Sequence, residues 1–297
     1  MLTFVLAALA GIVVGLLSGL LGIGGGTIMV PIFRLGFGAT AIEAAATSLF
    51  TIIPTSLAGC VTHIRNKTCQ LPLGIAAGLG GACTSPIGVW LASLSPSWAI
   101  IAAAALIIGY SAISMLKKAI AMPKVVKPKD SANEKKGPSI EVVPFERDEK
   151  GLNEAALNVG RQPSSAPLPA QALTRSQLFK GALIGLAAGV ASGYVGVGGG
   201  FIMVPLFVAV VGISMRHASG TSLIAVTILA IPGAISQALL GNIDFIAGIA
   251  MAVGSIPGAM LGASLMRRVP DRALRFLFGG FLIFVAIVLV VNEFVSW

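Results

Sequence analysis

Two glycine-rich turns hold the residues of this chain best suited to chemistry. Gly24, Gly25 and Gly26 precede the run Thr27-Ile28-Met29-Val30-Pro31, and Gly198, Gly199 and Gly200 precede Phe201-Ile202-Met203-Val204-Pro205. A helix starting at Thr27 or Phe201 leaves its first amide N–H groups unpaired and presents roughly half a unit of positive charge at that end. Glycines let the backbone turn tightly and let a ligand approach without Cβ contacts. Two such termini make a nearly symmetric cradle for an anion. Thr47-Ser48 and Thr221-Ser222 are the next candidates, because hydroxyls in apolar helices either bond back to their own backbone or donate to a ligand. Arg34 would add attraction for an anion. Glu43, His63 and His217 are the groups that could couple a proton to its binding, and all three fall near segment ends.

These residues come in pairs because the chain repeats itself. Residues 15–31 return as 189–205, an offset of 174 positions, and the same offset pairs Thr47 with Thr221, Ser48 with Ser222 and Glu43 with His217. One ancestral unit was duplicated. The offset also pairs Gly15, Gly19, Gly59, Gly74 and Gly88 with glycines of the second copy, and for these close helix packing is the better reading. Three successive glycines exceed what packing needs. A nucleotide-binding turn is disfavoured, since Gly22-Ile23-Gly24-Gly25-Gly26 follows no strand and lacks the third-glycine spacing.

The elements that position these groups follow from composition. Of 297 residues, 56% are hydrophobic and 10% charged, with a mean hydropathy of +0.95, where a soluble domain carries roughly 25% charged residues. Apolar runs of this length cross a bilayer core of about 30 Å as helices, and nothing alternates with the period of a barrel strand. Five segments are predicted in each copy: 2–21, 27–36, 42–62, 71–93 and 98–116, then 179–195, 201–212, 218–240, 245–266 and 273–291. The second of each set is too short to span and is expected to be the returning arm of a broken hairpin tipped by the glycine turn. The predicted fold is therefore an all-α polytopic membrane protein of two inverted-topology repeats, with about eight full spans and two short broken or re-entrant segments.

Residues 1–121 form the first membrane repeat and 177–297 the second. Between them, 122–176 are rich in Pro, Ser, Asn and both signs of charge, which predicts a disordered linker. Outside that linker eleven basic residues face four acidic ones, an excess that marks topology rather than nucleic-acid binding. Arg65 and Lys67 follow the third segment of the first copy, whereas Arg267, Arg268 and Arg272 follow the fourth segment of the second. Because cytoplasmic loops are rich in Lys and Arg, the copies face opposite ways, with both termini outside and the linker cytoplasmic. The first segment has no basic residue ahead of it and carries the repeat motif, so it is expected to be retained rather than cleaved.

Enzymatic chemistry is not expected. No Ser/His/Asp or paired-carboxylate constellation is present, and Cys60, Cys69 and Cys83 lack metal-ligand spacing, so neither a metal nor another cofactor is implied. Inverted repeats around broken helices are the architecture of secondary transporters, with the solute bound near the midplane.

The duplicated Gly-x-Gly-Gly-Gly followed by an apolar stretch and Pro (22–31; 196–205), and then Ala46-Thr47-Ser48 and Gly220-Thr221-Ser222, resembles the sulfite exporter TauE/SafE family of membrane permeases. The resemblance covers both membrane halves and omits the linker. It implies a bacterial inner-membrane permease for small sulfur-containing anions such as sulfite or organosulfonates, coupled to an ion gradient; alternating access of one repeat against the other is the mechanism expected of its inverted repeats. The expected partners are a small anionic solute and the lipid bilayer, with homo-oligomerisation left open. An anion channel, or a scaffold recruiting a partner through its linker, is the alternative. A bulky residue in place of Gly25 or Gly199 should abolish transport while the protein still reaches the membrane, and unchanged uptake in both variants would remove the cradle reading.

Overall fold

Helix ends are set by local chemistry throughout. The computed structural model describes residues 2–120 and 174–295, which belong to one compact body; the predicted linker lies outside the described residues except for its last three. In chain order the described helices are α1 (Leu2–Leu21), α2 (Gly26–Phe37), α3 (Ala41–Arg65), α4 (Leu71–Ser93), α5 (Ser97–Ile120), α6 (Arg175–Val195), α7 (Gly200–Leu206, continued by a π-turn over Phe207–Val211), α8 (Met215–Leu239), α9 (Phe245–Leu265) and α10 (Asp271–Val295). Thr40 and Glu43 close a capping box at α3, Thr174 and Gln177 close one at α6, and Ser214 and Asp244 accept amide protons at the starts of α8 and α9. Left-handed glycines, Gly38 and Gly212, stop the two short segments.

Six of these helices are long and apolar enough to cross a membrane. Their exposed faces carry large apolar side chains, among them Leu79, Trp90, Leu106, Ile235 and Ile249, as expected of surfaces that meet lipid rather than water.

Packing joins the two copies instead of keeping them apart. The α1 helix lies along α9 and α6 lies along α4, with Gly11, Gly15 and Gly19 against the backbone of Met251, Ser255 and Ala259, and Gly185, Gly189 and Gly193 against Ala77, Gly81 and Ser85. Residue numbers rise together in both pairs, so each pair is parallel. Glycines answer from the other side: Gly254, Gly258 and Gly262 face the carbonyls of Ala8, Ile12 and Leu16. A spacing of four residues keeps them on one helix face, the small-residue pattern that allows close approach in lipid. Where α9 has Gly258, α4 has Thr84, whose hydroxyl donates to the Leu186 carbonyl at 2.8 Å.

Between these pairs, α3 and α8 cross the body antiparallel. The seventh residue of α3, Thr47, meets Asp244 just beyond the end of α8, and Thr221 of α8 meets Gln70 just beyond the end of α3. Near their middles the Thr227 and Ser56 hydroxyls lie 2.9 Å apart. The fifth helices of the two copies, α5 and α10, pair at the flank, where Gly279 lies against Ala112.

These glycine contacts are expected to be intolerant of side chains. Gly185→Val and Gly254→Val drive a side chain into the Ala77 and Ala8 carbonyls, and should abolish the monodisperse species seen by size-exclusion chromatography in detergent. Gly109→Ala, with open space around it, should leave elution and melting temperature unchanged.

Candidate functional site: two glycine turns over the central helix pair

Each glycine turn begins where a packed helix stops. Gly22 ends α1 and Gly196 ends α6, both with positive φ (+73° and +74°), their amides donating to Ser18 and Ser192 carbonyls. Gly24, Gly25, Gly198 and Gly199 also adopt positive φ, between +64° and +86°, a region that side chains make costly. The third glycine of each set is different. Gly26 and Gly200 already belong to α2 and α7, and space rather than φ excludes a Cβ there: Gly26 abuts the Val197 carbonyl, and Gly200 the carbonyls of Gly22 and Ile23.

The turns therefore touch each other, one from each copy. They meet over the middle of the α3–α8 pair, where Gly24 and Gly198 both border Ile52 and Gly24 also borders Val226. At the start of α2, the amides of Ile28 and Met29 donate to the Gly25 carbonyl at 3.1 Å, and at the start of α7 the Gly200 amide donates to the Gly198 carbonyl at 2.7 Å. Thr27 is fully buried and its hydroxyl has no partner among the described residues. Its counterpart, Phe201, is equally buried and apolar, so the two turns match in backbone but not in side-chain chemistry.

The Thr-Ser pairs divide the same way. Thr47 Oγ1 accepts the Asp244 N–H at 3.0 Å and Thr221 Oγ1 accepts the Gln70 N–H at 2.9 Å. Each threonine thus caps the loop that follows the other copy's central helix, a role that neither back-bonding nor ligand donation describes. Ser222 Oγ lies 2.6 Å from the Gly22 carbonyl and 2.8 Å from the Ser219 carbonyl, its one proton shared between them, holding the first turn in place. Ser48 is fully buried without a partner among the described residues, one helical turn before Ile52.

The ionisable candidates lie around this centre, not in it. Glu43 is exposed and belongs to the α3 capping box. His217 Nδ1 lies 2.9 Å from the Ser214 hydroxyl at the start of α8. Arg34, in the last turn of α2, borders a 10 Å³ cavity that Val195 and Val197 of the second turn also line. His63 is fully buried, with Nε2 2.9 Å from the Gly19 carbonyl and Nδ1 2.7 Å from the Thr68 hydroxyl. A carbonyl only accepts, so Nε2 carries the proton, and His63 ties the end of α3 to α1 just ahead of the first glycine turn. Among the described residues no group of three His, Cys, Asp or Glu is placed to hold a metal.

Two buried hydroxyls lie in the repeated stretch but outside its glycine turns: Ser18 and Ser192, one beside each turn. Only their 174-residue spacing marked them in the sequence.

Long apolar helices, an apolar exterior and broken helices meeting at the centre define a multi-pass helical membrane protein. Residues 7–289 match the family described as Sulfite exporter TauE/SafE, and the chain belongs to that family: it is a membrane transporter. It is similar to the "Probable membrane transporter protein YdhB" of Bacillus subtilis (strain 168), at 26% identity over 88% of this chain and 89% of that one. It is also similar to the "Probable membrane transporter protein YunE" of the same strain, at 23% identity over 92% of each. No solved structure matches it.

The cross-copy caps make a prediction. Thr47→Val or Thr221→Val leaves a partly buried amide unpaired, and each should cost about 1–3 kcal/mol. Hydrogen exchange should quicken at the Asp244 amide in the first variant and at the Gln70 amide in the second, each leaving the other loop protected.

Proposed function

We propose that the protein is a secondary transporter of small sulfur-containing anions, such as sulfite or an organosulfonate, working by alternating access between two inverted-topology repeats and driven by an ion gradient. The observation that carries this reading is the meeting of the two glycine turns over the middle of the antiparallel α3–α8 pair. There the broken helix α2 starts in a buried centre, and a helix start leaves its first amides without intrahelical partners. A helix terminus contributes only about 0.3–2 kcal/mol per charge, so several amides and hydroxyls must converge on one solute, as Gly24, Gly25, Gly26, Thr27 and Ser48 would with Gly198, Gly199, Gly200 and Phe201.

The inverted arrangement is supported by helix directions. Equivalent helices α3 and α8 run antiparallel, while α1 runs parallel to α9 and α6 to α4, the pattern expected when a unit is copied upside down in the membrane. With basic loops cytoplasmic, Arg65 and Lys67 lie on the same side as Arg216 and His217 at the start of α8, since Thr221 reaches the loop that carries Lys67. In this scheme both termini are outside and residues 122–176 form a cytoplasmic linker between the membrane repeats 1–121 and 177–297. His63, Glu43 and His217 remain the groups for proton coupling, with His63 the one in contact with the helix that leads into a turn.

The test is uptake by purified protein in proteoliposomes, with labelled sulfite, sulfate, thiosulfate and small sulfonates, with and without an imposed proton gradient. Saturable, gradient-driven accumulation of one of them is expected. Non-saturating flux without accumulation would make the protein a channel, and silence from folded protein across the panel would overturn the anion reading.

A further inference from the structure

Most buried hydroxyls in this body have partners, and five among the described residues do not: Ser18, Thr27, Ser48, Ser85 and Ser192. Thr51, Thr55, Ser56, Ser219 and Thr227 donate to the carbonyl one turn earlier, and Thr55 and Thr227 also reach a serine on a neighbouring helix. Ser18 and Ser192, only 1% and 0% exposed, are exceptions, each hydroxyl unpartnered among the described residues. They occupy the same place in the two copies, the last turn of α1 and of α6. Each side chain lies against the glycine that precedes the broken helix: a Cβ on Gly25 would sit 3.5 Å from Ser18 Cβ, and one on Gly199 3.4 Å from Ser192 Cβ. On the first copy the unpartnered Thr27 hydroxyl lies two residues past Gly25, at the start of the twelve-residue α2.

Native structures leave few buried polar groups unpaired, and alanine would fill either position without an orphaned hydroxyl. Packing therefore gives no reason for serine at both. A hydroxyl offers one proton and accepts two, an amide N–H only donates, and Ser18, Thr27, Gly25, Ser192 and Gly199 are all neutral. Such a set is matched by a group that accepts several hydrogen bonds at once, an oxyanion.

We propose that Ser18 and Ser192 are solute-binding residues that donate to oxygens of the transported anion, with Thr27 completing the set on the first copy. This rests on the transport reading above and assigns its specificity to two residues outside the glycine turns and the Thr-Ser pairs. Because every donor is neutral, affinity depends on how many solute oxygens the donors reach, so loss of either serine weakens binding without changing the charge of the site.

The test uses the full chain, purified and reconstituted, and the panel of sulfite, sulfate, thiosulfate and methanesulfonate. For whichever anion the wild type carries, Ser18→Ala and Ser192→Ala should each raise KM about tenfold, the size of one lost hydrogen bond to a charged group, and should shrink the anion-induced rise in melting temperature. Without anion their melting temperatures should equal or exceed the wild type's, because no partner is lost. Ser18→Cys and Ser192→Cys, which keep the volume and weaken the donor, should raise KM in the same direction. Unchanged KM in all four variants overturns the assignment while leaving the transporter intact. A lower melting temperature without anion, together with an unchanged anion-induced rise, also overturns it, since that is the signature of a structural serine. A wild type that neither moves nor is stabilised by any member of the panel overturns the anion reading and this assignment with it.

Discussion

Backbone-to-backbone contact between the two copies is the constraint on which everything else in this structure depends. Lipid offers helices no hydrophobic reward for leaving it, so their association rests on close packing and hydrogen bonds. Glycines four residues apart on α1, α6 and α9 provide the close packing, with the Ala, Ser and Thr of α4 completing the second pair, and they bring carbonyls within reach of the facing helix. With α1 held on α9 and α6 on α4, the ends of α1 and α6 have one place to go. Gly22 emerges against Ser219 at the start of α8, and Gly196 against Ala45 at the start of α3. The two turns are thus delivered to the same central helices from opposite copies. A transporter that moves one copy against the other must do so through these contacts.

Within that near-symmetric frame, the chemistry of the copies has diverged. Thr27 faces Phe201 across the repeat, the bonded Ser222 corresponds to the unpartnered Ser48, and the buried His63 corresponds to Gln237, whose side-chain oxygen accepts from Asn242. The helix after the second turn relaxes into a π-turn over Phe207–Val211, whereas α2 remains α-helical over the equivalent residues. Insertions of this kind recur at functional sites because they re-aim side chains without breaking the helix. A duplicated scaffold can keep its backbone contacts, which need only small residues, while each copy acquires its own polar groups.

The electrostatic design separates a neutral centre from a charged periphery. Arg65, Lys67, Arg216, Arg267 and Arg268 lie at helix ends; the residues that meet at the glycine turns carry no formal charge. For an anion in transit this is a favourable division on the proposed reading. A fixed cation at the midplane would be costly to bury and would hold an anion tightly, whereas amides and hydroxyls need not be desolvated as ions and release their ligand readily.

Much of this was legible in the residues themselves. Apolar runs read as 2–21 and 71–93 are the helices Leu2–Leu21 and Leu71–Ser93, because a long apolar run can satisfy its buried backbone groups within a helix. The short second segment of each copy and the glycine turn before it were equally plain, since positive φ and helix starts are local. Ends differ by a few residues where polar caps extend a helix beyond its apolar stretch: Thr174 and Gln177 start α6 at Arg175 rather than 179, and Ser214 starts α8 at Met215 rather than 218. The partners were not legible. That α1 lies on α9 rather than on its own hairpin arm, that Thr47 caps Asp244 across 197 positions, and that Ser18 and Ser192 are left unpaired are outcomes of helix docking. Sequence by itself determined which segments form apolar helices, where the backbone must turn and that the chain carries a repeat, because these depend on apolarity and local φ preferences. Only the tertiary structure decided which hydroxyls were consumed by the neighbouring helix and which were left open, because a hydrogen bond depends on what stands three ångströms away, and in this protein that is contributed by the other copy.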